Sequence, residues 1–332
     1  MGRMRLAELE TLAVRAFTRS KTSEANAQSV ARALVAAEAD GLSSHGLSRL
    51  AAYCDQAIAG KVDGFATPKI ERTKPAVIAV DAASGFAFPA LDAGFAAAVP
   101  AARETGLVAV AVGRSHHFGV AGHAVERLAR SGLVAIAFGN SPAAIAPWGG
   151  AKPLFGTNPI AFAWPRTGRT PLVIDLSLSK VARGKIMVAA QKGEAIPEGW
   201  ALDAAGQPTT DAKAALAGAM IPMGDAKGAA LVLMVELLAV ALTGSNFGWE
   251  ASSFFDAKGP PPHVGQMFLG LDVRAFSRDA SARAEILFQA MTGQPGVRLP
   301  GDRRFALRKK AEADGVEVPD PLMAEIERRA AG

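Results

Sequence analysis

The sequence reads as an α/β protein, and three observations carry that reading. Short apolar runs of strand length occur at 76–81, 107–112 and 133–138. Alanine-rich stretches with helical periodicity, around 90–104 and 120–130, separate them. The composition is half apolar over 332 residues, enough to bury a large core in one big or two medium domains.

The remaining elements follow in chain order. Residues 5–18 and 24–39 repeat apolar positions at helical spacing, and Ser23 is placed to cap the second helix. Ser43 and Ser44 offer a cap to a third helix that runs to Ile58 and is ended by Gly60. Two further strands are expected at 160–164 and 172–176, then a helix at 182–191 and a long irregular excursion at 192–210, where Gly, Pro and Asp fall at turn-forming intervals. Helicity returns at 227–242. Its most apolar part begins at Ala229 and spans about fourteen residues, interrupted by Glu236, where a membrane crossing needs roughly 20; it is expected to be a buried helix. Pro260, Pro261 and Pro262 stiffen a loop before a strand at 266–272, and helices near 280–292 and 319–329 close the chain around the basic LPGDRR segment. On this layout residues 76–279 form the α/β core that binds cofactor and substrate. The helical flanks, 1–75 and 280–332, pack together.

Composition narrows the class of function. The N-terminus mixes acids and bases without an apolar leader core, so it is expected to be an amphipathic helix and not a secretion signal. The single cysteine, Cys54, excludes a disulfide framework or a Cys-rich metal site, and a reducing cytoplasmic compartment fits. The formal charge of +5 comes from scattered basic residues, with one tyrosine and no recognition motif, which points to a small anionic ligand and away from nucleic acid.

In DGLSSHGLSRLAAY, residues 40–53, a continuous helix would place His45, Arg49 and Tyr53 along one face. The free amides and positive end of its first turn favour a carboxylate ligand, and Arg49 one turn on is suited to grip it in a planar fork. The same residues would serve equally as a helix start, a surface charge and a packed ring. A second cluster, GRSHHFG at 113–119, follows a strand and precedes a helix carrying Gly122 and His123. Three histidines invite zinc, but adjacent histidines point apart and the segment holds no Asp, Glu or Cys, so no metal is expected. Loops at the carboxyl ends of strands are where open α/β sheets take ligands, so this one is expected to hold substrate or the nicotinamide ring.

The G-x-G-x-x-G fingerprint is absent, which argues against an ordinary Rossmann enzyme. Gly156-Thr157-Asn158-Pro159 and Gly224-Asp225-Ala226-Lys227-Gly228 would let backbone approach a cofactor, though the first is also a good turn. Asp175, at a strand end, is placed to orient a catalytic histidine or merely to cap the strand. Lys227 is suited equally to a cofactor phosphate and to flanking a turn.

With these segments assembled, the chain resembles the malate/L-lactate dehydrogenase family of NAD(P)-dependent oxidoreductases that lacks the ordinary Rossmann fold. The resemblance covers nearly the whole chain and rests on DGLSSHGLSRL (40–50), GRSHHFG, PLFGTNPIAFAWPR (153–166), DLS (175–177) with ARGK (182–185), GDAKG (224–228) and GQMFLGLD (265–272). It implies a non-Rossmann α/β fold with a central mixed sheet and flanking helical segments. Within the family, SHHF (115–118), NFGWE (246–250) and LPGDRR (299–304) look most like the Δ1-piperideine-2-carboxylate/Δ1-pyrroline-2-carboxylate reductases. That likeness implies a homodimer that reduces a small cyclic imino acid with NADPH, NADH being the other option. The 2-hydroxy-acid dehydrogenases are the rival.

The resemblance further implies roles for residues. His45 is the proton donor, with Asp175 its acidic partner, and Ser44, Arg49 and His117 line the substrate pocket. Phe118, Gly119, His123, Gly156, Thr157, Asn158, Ser177, Lys227, Arg303 and Arg304 hold the cofactor. Phe118, Met187 and Trp249 are candidates for an apolar wall beside a ring substrate, or for the core. Position 226 is Ala where many relatives carry His, so one cofactor contact would be missing.

Overall fold

A computed structural model describes residues 3–331 of the chain. The N-terminal part holds β1 (Arg3–Met4), α1 (Leu6–Arg19), α2 (Glu24–Ala39) and α3 (Leu50–Ile58). Ser23 caps α2 as expected, its hydroxyl accepting from the Asn26 N–H at 3.3 Å. The third helix is shorter than its periodicity suggests. Residues Ser43–His45 and Leu47–Arg49 form two 3₁₀ turns, and only Leu50–Ile58 is α-helical. The break lies at Gly46, where a Cβ would sit 2.3 Å from Glu38 Oε2, the same oxygen that accepts the Leu47 N–H. The chain is drawn down onto Glu38 there, so His45, Arg49 and Tyr53 do not share a helix face.

The centre is a seven-stranded mixed sheet. Its strands are β2 (Lys69–Lys74), β3 (Val77–Asp81), β4 (Leu107–Ser115), β5 (Leu133–Gly139), β6 (Ile160–Trp164), β7 (Leu172–Leu176) and β11 (Val264–Asp272), in the order β2-β3-β4-β11-β5-β6-β7. Only β3 and β4 pair in parallel; every other neighbour is antiparallel. The late strand β11 enters the middle, with Phe268 opposite both Val110 and Ala137.

Alternation puts Ile78, Val80, Val108, Val110, Val112, Ala135 and Ala137 on one face, under α4 (Ala87–Thr105) and α5 (Ala121–Arg130). The opposite face, with Ile136, Phe138 and Met267, packs on α6 (Arg183–Lys192), α7 (Ala212–Ala217) and α8 (Asp225–Glu236). Between α6 and α8 the irregular excursion contains the two-residue strands β8 (Ala201–Leu202), β9 (Pro208–Thr209) and β10 (Ala219–Met220).

Helix α8 passes into a π-turn at Leu237–Ala241, and it is not wholly buried as its composition suggests. Val232, Val235, Ala239 and Val240 are covered, whereas Leu231, Leu233, Met234 and Leu237 are open to solvent. After β11 come α9 (Val273–Phe276), α10 (Ala280–Thr292), α11 (Asp302–Asp314), β12 (Val316–Glu317) and α12 (Asp320–Ala331). The chain ends meet: β1 pairs with β12, and Val318, Ile326 and Ala330 join the core of α1, α2 and α3. Helix α10 lies elsewhere, with Phe288 against Phe162, Trp164 and Ile174, and with Glu285 paired to Arg166 at 2.6 Å. Among the described residues no helix is long and apolar enough to cross a membrane.

Candidate active site

Three segments distant in sequence converge beside His45: the 3₁₀ turns with α3, the loop between β4 and α5, and the loop at 251–258. Tyr53 is fully buried on α3, and its ring meets His116, His117 and Phe86. Burial pushes the phenol pKa up, so the hydroxyl keeps its proton and donates it to His117 Nδ1. With His117 Nδ1 as the acceptor of that bond, the ring proton of His117 is assigned to Nε2, which makes no hydrogen bond among the described residues. The neighbouring His116 turns the other way, bonding Gln56 Oε1 through Nε2 at 2.6 Å, as expected of adjacent histidines. Among the described residues no group of three or more His, Cys, Asp or Glu converges to hold a metal ion.

His45 stands 5.5 Å from His117 between ring centroids, and its Nδ1 lies 3.0 Å from the Ser44 hydroxyl. Burial pulls its pKa down to about 4, helped by the charges of Arg49 and His123, so the free protein carries a neutral imidazole at this point. Arg49 is fixed through Nε to the Ser44 carbonyl at 2.7 Å, with its guanidinium 4.5 Å above the Phe255 ring. Among the described residues it has no carboxylate partner. Arg49 is the cation that acts on both His45 and His117; the other groups that lower their pKa values are histidines, His123 beside the first and His45 and His116 beside the second.

The structure does not bring Asp175 to His45. Its carboxylate accepts the Gly122 N–H at 2.7 Å, and a Cβ at Gly122 would meet both Asp175 and Arg304. One side of Asp175 is open to solvent, but protein crowds the rest, and that loss of hydration raises its pKa despite Gly122, Arg304 and His123. The partner of His45 is Ser44.

A second convergence lies at the end of β7. Ser177 Oγ and the Leu178 N–H both reach the Thr157 carbonyl, and Leu178 in turn accepts from Met223, just before α8. On the other side Pro300, just before α11, accepts from Val173. The first turns of α8 and α11 thus lie against the two ends of β7 and bring Lys227 and Arg303, both exposed and, among the described residues, without a protein partner. Unpaired cations beside hydroxyls suit a nicotinamide dinucleotide with its phosphates.

Other expected cofactor residues have different tasks. Arg304 is drawn inside, 3.1 Å from Asp40 and 3.2 Å from Glu126, because those two acids have no water to turn to. His123 bonds Asp40 at 2.7 Å. Asn158 is fully buried and bonds Glu236 at 2.6 Å, while Gly156 lets the 156–158 turn close onto Ser141. Phe118 packs inward on Phe268, leaving only its backbone for a ligand, and Gly119 takes a left-handed φ of +70° against Phe88. Trp249 stacks on Phe247 at the surface. The apolar wall beside the histidines is instead Phe254, 5.0 Å from His117, with Phe255 beneath Arg49. Sequence reasoning missed both; their loop carries no periodic signal.

Known proteins resemble this chain over nearly its whole length. Residues 4–327 match the family model described as malate/L-lactate dehydrogenase. A (2R)-3-sulfolactate dehydrogenase (NADP(+)) of Chromohalobacter salexigens is 58% identical over 327 residues, covering 98% of each chain. A Δ1-pyrroline-2-carboxylate/Δ1-piperideine-2-carboxylate reductase of Pseudomonas aeruginosa is 43% identical over 98% of each. The crystal structure of Δ1-piperideine-2-carboxylate reductase from Pseudomonas syringae superposes with a TM-score of 0.94 at 37% identity, covering 99% of this chain and 100% of that one. With the family model spanning almost the whole length and the fold shared end to end, the chain belongs to the malate/L-lactate dehydrogenase family of NAD(P)-dependent oxidoreductases.

Proposed function

We propose that this enzyme is an NADP-dependent dehydrogenase of a short 2-hydroxy acid bearing a second anionic group, of the 3-sulfolactate type. The observation that carries the reading is the sign of the charge at His45. Arg49 stands beside His45 and His117 and, among the described residues, has no carboxylate partner, so the pocket holds an uncompensated cation that an anionic substrate would neutralise. The 58% relative, named for such a substrate, supports it.

The bound nicotinamide would exchange a hydride with C2 of the acid. Lys227 and Arg303 would hold its phosphates, with Ser177, Thr157 and Asp175 near its hydroxyls. Arg49 would grip the substrate carboxylate, and His117 Nε2–H would donate to the reacting oxygen. His45, neutral in the free protein, would take the hydroxyl proton during oxidation and return it during reduction. An anion in the pocket would offset Arg49 and raise the His45 pKa from its value in the free protein, which burial chiefly sets.

Assay of the purified protein with NADP+ and (2R)-3-sulfolactate, its enantiomer, malate and lactate tests the reading. The (2R) sulfonate should be oxidised best, giving 3-sulfopyruvate in equal amount to NADPH. Preference for lactate would refute the second anionic group. Reduction of a cyclic imino acid is the second reading, favoured by the likeness to the Pseudomonas reductases. It asks the pocket to admit an iminium cation with no acid beside it. The open apolar face of α8 supports a homodimer, and a reducing cytoplasm suits the buried thiol of Cys54.

A further inference from the structure

The geometry points to Lys61 as a positioning residue that sets the anion-binding arginine through the strap at 251–258. Lys61 follows α3, and its side chain is almost completely buried. Its ammonium donates to three carbonyls of the strap: Ser253 at 2.7 Å, Asp256 at 3.0 Å and Lys258 at 2.7 Å. One turn earlier, Gln56 gives its amide to the Phe254 carbonyl at 2.9 Å while its oxygen holds His116. The strap is also tied by the Ser252 hydroxyl to the Pro260 carbonyl at 2.6 Å and by the Asp256 carboxylate, 3.7 Å from the same ammonium; Phe254 is buried, but Phe255 and Asp256 are exposed.

Burying an ammonium is costly, and an apolar side chain would fill the space without that cost. What the lysine adds is direction. Three carbonyls turned onto one cation fix the strap backbone at the residues carrying Phe254 and Phe255, and those rings form the wall of His117 and the platform of Arg49. Among the described residues the Arg49 side chain makes one hydrogen bond, through Nε to Ser44, so the plane of its guanidinium depends on the Phe255 ring beneath it. Lys61 therefore acts on substrate affinity and specificity through Phe255 and Arg49, without touching the reacting atoms. His45 is held by Ser44, outside the strap.

This inference rests on Arg49 being the substrate-anion ligand proposed above. Lys61→Met keeps the stem and removes the three donated bonds; Phe255→Leu keeps the strap and removes the platform. Oxalate is titrated calorimetrically into the NADP+-saturated proteins, and kcat and KM are measured with 3-sulfolactate. Both variants are expected to bind oxalate at least about tenfold more weakly and to raise KM similarly, with kcat within about threefold and NADP+ affinity unchanged. If Lys61→Met does not fold, Phe255→Leu alone decides. Unchanged oxalate affinity in a folded variant overturns the inference, as does a parallel loss of kcat, oxalate and NADP+ affinity, which would mark a general structural role. Absence of 3-sulfolactate turnover in the wild type would instead overturn the substrate reading, leaving the oxalate arm to judge the strap.

Discussion

Two clusters of charged and ionisable groups sit close together in this molecule and are built on opposite terms. Around Asp40, every base has an acid partner: His123, Arg304 and Arg308 meet the Asp40 carboxylate, while Glu126 takes Arg304, Arg308 and Arg130. Burial alone would raise the Asp40 pKa, but Arg308 and His123 overcome it and hold the group below its usual value. Around His45 nothing matches, and the bases face one another. A saturated cluster ties α2, α5 and α11 together, whereas an unsaturated one waits for a ligand. Both hold a histidine and an arginine; counting residue types does not tell them apart, but counting partners does.

Substitutions in each cluster sharpen the contrast. His45→Ala should lower kcat by about 10²- to 10⁴-fold, the range for a general acid or base, while leaving thermal stability and NADP+ binding near the wild type. Steady-state rates with fluorescence titration measure it; near-normal turnover would remove His45 from the mechanism. In the matched cluster the effect should move to stability. Glu126→Gln removes the anion shared by Arg304, Arg308 and Arg130, leaving the first two with Asp40 alone, and should cost about 2 kcal/mol in chemical denaturation, with kcat little changed in the folded fraction. A variant as stable as the wild type would mean that the cluster does not tie the helices.

Acid should also separate the two regions. Burial keeps His45 neutral down to about pH 4 and His116 to about 3, and the His117 pKa lies well below 6.5. Unfolded, all three protonate near pH 6.5, so between these values the unfolded chain binds more protons and folding weakens as pH falls. The buried His116 alone should cost about 1.4 kcal/mol per pH unit across that window. Melting temperatures should be highest above about pH 6.5 and decline toward pH 4.5. A flat profile would show that the imidazoles are not held neutral.

Arg303 and Arg304 offer the smallest and most local contrast. Arg303→Ala should raise KM for NADPH a few-fold more than KM for NADH, whereas Arg304→Ala should lower stability, because one arginine is free and its neighbour is paired. Equal shifts for both cofactors in Arg303→Ala would exclude it from phosphate recognition.

How far the sequence could be read follows the same physical line. Strands β6 and β7 and helix α10 fall on the expected residues, since their apolar positions repeat at strand or helix spacing. Strand β2, KIERTK, and helix α11, DRRFALRKKAEAD, were hidden by their charges, one on an exposed sheet edge and the other serving the ion cluster. In the site, Ser44, His45, Arg49 and His117 are legible because they lie in compact motifs. The break at Gly46 depends on Glu38, and the wall at Phe254 on side-chain bonds to carbonyls nearly 200 residues from Gln56 and Lys61. Such contacts leave no period in the chain. The choice between Ser44 and Asp175 as partner of His45 is likewise a matter of three-dimensional placement.

The central claim is that the pocket is built for an acid with two anionic groups, and the most direct measurement compares kcat/KM for NADPH-driven reduction of 3-sulfopyruvate and of Δ1-pyrroline-2-carboxylate under matched conditions. The unpaired Arg49 predicts that 3-sulfopyruvate is preferred by at least about tenfold, roughly 1.4 kcal/mol of discrimination in the transition state, with 3-sulfolactate as the identified product. A preference for the cyclic imino acid, with L-proline formed in equal amount to the NADPH consumed, would contradict it.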